Sequence, residues 1–519
     1  MGLQNLTRWL GKDTLHRPPE SPFNLRSNLP FWVSPACLSG MTARQCFTGG
    51  RTQTMARSNR RNSFDNMPMT TVWIKNPLAV LTDHPDAGGG VVVSGQQIVE
   101  LVPGGSQPSL QVNEVFDASR HVLTPGLVNC HHHFYQTLTR ALPAALNLEL
   151  FDWLKTLYPV WAGLDEDMLQ LASELALAEL LLSGCTTAAD HHYLFPPGLD
   201  SAIDIQVEAA RTLGVRVTLT RGSMSLGRDD GGLPPQQVVQ DGQHILDDSE
   251  RLIAAYHQPQ VGGMVQIALA PCSPFSVTPE IMRESAALAR QKQVRLHTHL
   301  AETLDEENFC RRRFGCRTVD YLESVDWLGP QTWLAHGIHF DDDEIARLGQ
   351  AGVGICHCPS SNMVLASGIC RNLELEAAGS PVGLGVDGSA SNDGSNMIGE
   401  VRQAMLLQRL RYGSARVSHL DAWRWATEGG AAVLGRTDIG RIAVGQQADL
   451  ALFSLDEPRF SGSHEPLAAL LLCGAQRAER VMVAGRWRVI DNTIVGLDLE
   501  RLMARHQQAA QRLVAACQN

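Results

Sequence analysis

The chain has 519 residues, 44% of them hydrophobic and 19% charged, with a formal net charge of -11. This length and composition describe a globular protein with room for a large core and exclude a disordered or fibrous chain. The acidic balance argues against a nucleic-acid partner, which would want a basic face, and no apolar run reaches the roughly 18 residues of a membrane span. Twelve cysteines without a repeating spacing read as reduced core thiols of a cytoplasmic protein rather than a disulfide frame.

Residues 1–68 stand apart. They carry Arg8, Arg17, Arg26, Arg44, Arg51, Arg57, Arg60 and Arg61 against only Asp13, Glu20 and Asp65, with no sustained periodicity. Arg-rich and acid-poor is the profile of a transit peptide. The favoured expectation is a disordered tail or an upstream extension, with Met67 or Met69 as the natural start. From Thr70 the pattern becomes orderly. Thr71–Ile74, Gly90–Val93 and Gln97–Leu101 are strand-like runs between Gly, Asp and Pro turns, and the same texture returns at Ala448–Phe453 and Arg480–Trp487. Two strand-rich ends predict one small β-domain built from residues 69–124 plus 436–495, followed by a C-terminal helix over 496–519.

Between those ends, short apolar strands alternate with longer helical patterns. The predicted strands are Leu127–Cys130, Thr186–Asp190, Val215–Thr220, Val265–Ala270, Val294–His299, Thr332–His336, Gly352–Cys356 and Val382–Asp387. Helical spacing fills stretches such as Asp167–Ser183 and Pro279–Lys292. Eight strands with intervening helices over residues 125–435 predict an α/β fold of the (β/α)8 TIM-barrel type, with catalytic groups at the strand C-termini. A doubly wound sheet is the alternative, but the first strand is not followed by a Gly-x-Gly-x-x-Gly turn.

The polar residues gather where a barrel needs them. The first strand ends in His131-His132-His133; side chains two apart on a strand point the same way, so His131 and His133 can share a metal while His132 faces away. A His-x-His pair alone is also what two surface histidines look like. The fifth strand, however, reads Leu296-His297-Thr298-His299-Leu300-Ala301-Glu302, the sixth ends Leu334-Ala335-His336-Gly337, and the eighth ends Gly385-Val386-Asp387-Gly388. Imidazoles and a carboxylate converging on one face suit a catalytic Zn²⁺ that keeps one position open. Cys356-His357-Cys358 looks metal-like, but it lacks further ligands nearby and is read as ordinary strand residues, with the role of His357 left open.

Taken in order, these motifs resemble the amidohydrolase superfamily, and within it the mononuclear-zinc aminohydrolase branch that includes guanine deaminases and s-triazine hydrolases. The resemblance covers about residues 70–490. His133-Phe134-Tyr135-Gln136-Thr137-Leu138-Thr139-Arg140 and Leu150-Phe151-Asp152-Trp153-Leu154 look most like the 8-oxoguanine-deaminating members, with hydroxyatrazine hydrolases next. The resemblance implies one Zn²⁺ per chain held by His131, His133, His299 and Asp387, with Glu302, His336 and Asp387 handling protons. His299 is preferred over His297 because the family motif is His-x-x-Glu, which only His299 with Glu302 fits. No lysine falls at the end of the fourth strand, which reads Ala270-Pro271-Cys272-Ser273, so a lysine-bridged binuclear site is not expected.

For the substrate, the resemblance implies a purine-like ring and water, contacted by Tyr135, Gln136, Trp161 and Cys272. Guanine deaminases carry an arginine after the proline of the fourth strand, whereas this chain has Cys272. Guanine N7 accepts a hydrogen bond; in 8-oxoguanine N7 carries hydrogen and donates, which an arginine, having donors only, would leave unpaired. The expectation is therefore hydrolysis of 8-oxoguanine to urate and ammonia. Guanine or a hydroxy-s-triazine is the alternative substrate, and a non-catalytic binding protein on the same fold is the distant one. A homo-oligomer without membrane or nucleic-acid partners is expected.

Overall fold

In the computed structural model, which describes residues 70–517, eight parallel strands form a closed ring. In chain order they are β1 (Leu127–Asn129), β2 (Cys185–His192), β3 (Arg216–Ser223), β4 (Val265–Pro271), β5 (Leu296–Leu300), β6 (Thr332–His336), β7 (Gly354–His357) and β8 (Val382–Leu384). Neighbours in sequence are neighbours in the ring, and β8 closes on β1 through Leu384 and Asn129. The fold is a (β/α)8 barrel. A doubly wound sheet would stay open. The tail expected over residues 1–68 lies outside the described residues.

Strands β2 and β3 are buried at every position, as parallel strands are when helices cover the sheet's outer face. Gly126 lets the chain enter β1: a side chain there would stand 2.1 Å from Thr186 Oγ1. The helices begin where capping chemistry is available. Asp165 accepts the Met168 N–H at 2.7 Å ahead of a helix over Glu166–Leu182, and Thr278 caps the helix Pro279–Lys292, with proline in its first turn.

Two further sheets join the ends of the chain. One is made of Thr71–Lys75, Gly90–Ser94, Gln97–Val102 and Glu114–Asp117. The other sets Ala79–Val80 and His121–Pro125 beside Leu450–Ser454, Arg480–Val483, Arg486–Ile490 and Thr493–Ile494. The run Arg480–Trp487, which reads as one strand in the sequence, is a hairpin. Ala484 and Gly485 turn it with φ of 49° and 73°, the left-handed pair that a two-residue hairpin turn requires. The second sheet is tied to the barrel by a buried bidentate pair, Arg216 Nε to Asp449 Oδ2 at 2.8 Å and Arg216 Nη2 to Asp449 Oδ1 at 3.1 Å. Asp449 also accepts the Ala484 N–H at 2.7 Å. Among the described residues no helix is long and apolar enough to cross a membrane.

Candidate active site and metal centre

Histidines crowd the C-terminal end of the barrel, and their hydrogen bonds fix where each proton sits. Only an N–H can bond a carbonyl, so His297 Nδ1 donates to Trp333 O at 3.0 Å. Its Nε2 is then an acceptor and takes the Nδ1–H of His131 at 2.8 Å. His133 Nδ1 donates to His191 O at 2.7 Å, and His299 Nδ1 donates to Cys272 O at 2.7 Å. Burial holds His131, His133 and His299 below the ordinary histidine range, so each is neutral. Each therefore presents a bare Nε2 lone pair to the same point.

No hydrogen lies between these atoms, although His133 Nε2 and His299 Nε2 are 3.2 Å apart. Asp387 Oδ1 stands 3.3 Å from His131 Nε2 and 3.4 Å from His133 Nε2. The nitrogens of His131, His133 and His299 lie within 4.8 Å of one another and Asp387 meets two of them; electron-pair donors this close repel one another unless a cation stands among them. Their spacing suits zinc: bonds of about 2.0–2.1 Å in a tetrahedron put ligand atoms about 3.4 Å apart. The donor set fits the metal, and second partners hold every ring in its tautomer.

Beside this cradle lie the groups expected to handle protons. His336 Nε2 is 3.3 Å from Glu302 Oε2 and 3.8 Å from Asp387 Oδ2, and Asn362 Nδ2 donates to His336 Nδ1 at 2.9 Å. Burial, then the charges of Asp387 and Glu306, push the Glu302 carboxyl well above its usual range. Burial works the same way on Asp387, but His131 and then His336 and His133 outweigh it and hold that carboxyl well below. The two carboxyls are thus pushed in opposite directions, Glu302 toward its protonated form and Asp387 toward its ionised one. His336 and Asp387 have φ of 72° and 63°, strained values for residues with a side chain. Strand β8 stops at Leu384, short of the predicted Asp387, because Val386 N–H turns to Asn129 Oδ1 at 2.9 Å.

The pocket above is lined by His133, Gln136, Cys272, His299, Glu302, His336, Asp387 and Ser391, and by Leu150, Trp153, Leu154 and Tyr158 from the helix α1 (Leu150–Trp161). Gln136 rides on a 3-10 turn, Phe134–Thr139. Asp190 pins that turn by accepting the Phe134 N–H at 2.6 Å, and His506 of the C-terminal helix donates to Thr137 Oγ1 at 3.0 Å. Burial pushes the Cys272 thiol up to about 12, so it is neutral.

Two expected substrate contacts do not reach the pocket wall. Tyr135 is buried behind it against Trp161, ring centroids 5.3 Å apart, and Trp161 donates to Thr139 Oγ1 at 3.0 Å. On α1 the pocket-facing stripe is Leu150, Trp153, Leu154 and Tyr158, and Trp161 falls beyond its end. His357 is fully buried, lies outside the pocket lining and has no partner at either ring nitrogen.

Sequence reasoning did not single out His191, because its strand was read as ending at Asp190. In the structure β2 continues to His192. His191 stacks on His299 at 4.7 Å and donates Nε2–H to Ala270 O at 3.0 Å. It offers a nitrogen within 4.8 Å of those of His131, His133 and His299. Trp153, Tyr158 and Tyr193 were also missed as pocket residues; the only sequence signal was an aromatic-rich stretch after the first and second strands.

Residues 122–496 match the amidohydrolase family. The chain belongs to that family. It is 68% identical over 448 residues to the 8-oxoguanine deaminase of Pseudomonas aeruginosa, covering 86% of this chain and 100% of that one. It is 39% identical over 349 residues to the hydroxydechloroatrazine ethylaminohydrolase of a Pseudomonas species, covering 66% of this chain and 72% of the relative. Among solved structures, the zinc complex of atrazine chlorohydrolase from Arthrobacter aurescens aligns with a TM-score of 0.80 at 33% identity, over 85% of this chain and 100% of that chain.

Proposed function

We propose that this family member is a hydrolase of C–N bonds that uses one zinc ion to convert 8-oxoguanine and water to urate and ammonia. The observation that carries the reading is the gathering of three Nε2 atoms and the Asp387 carboxylate beside Glu302, whose carboxyl is buried and pushed toward its protonated form. The 68% identity to an 8-oxoguanine deaminase supports the choice of substrate, and the zinc complex of a triazine hydrolase supports the metal.

Zinc bound by His131, His133, His299 and Asp387 would supply Lewis acidity, bringing the pKa of a water toward about 7. The chain's own residues complete the chemistry. Glu302 donates its proton to the ring nitrogen next to C2 and makes that carbon electrophilic. Asp387 accepts a proton from the attacking water, with His336 close enough to stabilise the charge that develops on oxygen. A C2–O bond forms, and the C2–N bond breaks as Asp387 passes its proton to the amine, which leaves as ammonia; the remaining hydroxyl proton returns to Glu302 as the C2 carbonyl of urate forms. Acid–base assistance of this kind supplies about 10²- to 10⁴-fold. Gln136, whose Oε1 is buried without a partner, is placed to accept from a purine N–H, while the neutral Cys272 leaves space beside the imidazole part of the ring.

Hydrolysis of a hydroxy-s-triazine is the second reading, favoured by the likeness to the ethylaminohydrolase. A panel of 8-oxoguanine, guanine and a hydroxy-s-triazine, with ammonia and the ring product measured alongside zinc content, decides between them. Guanine turned over faster than 8-oxoguanine overturns the first reading.

A further inference from the structure

The pocket holds more hydrogen-bonding capacity than the metal and the proton-handling groups use. On its wall Trp153 spends its indole N–H on Ala390 O at 3.2 Å, and Ser391 is engaged by Ser361 at 2.8 Å. Gln136 Oε1 and the Tyr158 hydroxyl are different: both are buried and make no hydrogen bond of ordinary length. A buried donor with at most a weak acceptor beside it is under-satisfied until a ligand brings a better one.

Tyr158 reaches the pocket from α1 and is fully buried. Its ring neighbour is Trp161 on the same helix, centroids 6.0 Å apart, whereas Tyr193 stands at the metal end, 5.2 Å from His133 and 6.1 Å from His299. Burial holds the Tyr158 phenol well above its ordinary range, so it remains a donor. The polar group coupled to it is the Cys272 thiol, a weak acceptor that leaves the O–H available.

We propose that Tyr158 is a specificity-determining residue that donates its hydroxyl hydrogen to the C8 carbonyl oxygen of the substrate. The proposal rests on the 8-oxoguanine reading above. Attack at C2 fixes that carbon against His131, His133, His299 and Asp387, which sends C8, at the opposite end of the bicycle, away from the metal. In 8-oxoguanine C8 bears a carbonyl oxygen, a strong acceptor. In guanine it bears a C–H, and the Tyr158 hydroxyl stays unpaired. A site built to bond a polar group discriminates against the analogue that lacks it.

The test compares the zinc-loaded full-length wild type with Tyr158→Phe, using kcat/KM for 8-oxoguanine and for guanine. The substitution should lower the 8-oxoguanine-to-guanine ratio by about 10-fold or more, the effect of one unpaired buried group. Equal losses on both substrates, or an unchanged ratio, overturn the assignment. A second measurement uses the products: wild type must be inhibited more tightly by urate than by xanthine, which lacks the C8 oxygen and one imidazole-ring N–H, and Tyr158→Phe must narrow that gap. Equal inhibition also overturns it. If wild type releases no ammonia from 8-oxoguanine, the underlying reading fails and takes this one with it; an active wild type with an unshifted ratio removes Tyr158 alone.

Discussion

Gly388 follows the candidate metal ligand Asp387 and gives a direct way to disturb substrate binding without touching zinc. A Cβ at this position would stand 1.9 Å from Gln136 Oε1, 2.3 Å from its Cδ and 2.8 Å from its Nε2. Gln136 is buried but lines the pocket, so its amide, the far end of a flexible side chain, yields by leaving its present rotamer for the space the substrate would take. The Gly388 backbone is not in the left-handed region, so Gly388→Ala adds no backbone strain, and zinc content reports whether the Gly388 N–H keeps its 2.7 Å bond to Asp387 Oδ1. Because only the end of a flexible side chain is met, the cost falls on substrate binding rather than on stability. A displaced Gln136 no longer meets the purine, which costs about 1–3 kcal/mol of transition-state binding, or about 10- to 100-fold in kcat/KM. Ammonia release by Gly388→Ala should fall by that factor while zinc content is kept. In a Gln136→Ala background the clash is gone, so adding Gly388→Ala should change little. A Gly388→Ala enzyme with wild-type kcat/KM, or a penalty undiminished beside Gln136→Ala, would refute the reasoning.

Metal and acid should separate by mutation: His133→Ala loses zinc and activity together, whereas Glu302→Gln keeps zinc and loses at least about 10²-fold in turnover. Metal analysis of the purified Glu302→Gln protein decides, since loss of zinc there would make Glu302 a ligand. Cys272→Arg should erode the preference for 8-oxoguanine over guanine by about tenfold, read from the ratio of kcat/KM values; a ratio unchanged or increased counts against the role given to Cys272. Stability should fall on acidification below about pH 6.5. Burial holds the nine histidines 131, 132, 133, 191, 192, 297, 299, 336 and 357 below their ordinary value. The unfolded chain therefore binds more protons as pH drops, worth up to about 1.4 kcal/mol per pH unit for each group. Asp190, raised by burial to about 8, and Glu306 and Glu400, raised to about 7, act oppositely. Their stabilisation is full below about pH 4 and is lost as pH rises to 7–8, but they and Glu302 are outnumbered. Thermal unfolding followed from pH 6.5 to pH 5 should show a falling midpoint, and a rising one would contradict the balance.

The sequence by itself determined the barrel, because strands and helices rest on local periodicity, and its motifs made the family resemblance legible. Alternation of short apolar runs with helical spacing dictates strands and helices. Residues two apart at a strand end share a face, and that alone brings His131 and His133 together. What it could not decide was which distant groups meet. His297 and His299 point to the same side of β5, but ring closure sets His299 Nε2 against His133 and leaves His297 one layer deeper, bonded to His131 and Trp333. Trp161 and Tyr158 share a helix, yet only Tyr158 lines the pocket. His191 joins the histidine cluster because pairing with β3 carries β2 past the point where its apolar pattern fades. The protonation of Glu302 and the ionisation of Asp387 likewise depend on burial and on neighbours brought from other strands. Contacts between residues far apart in the chain exist only once the barrel has closed, so they belong to the tertiary structure.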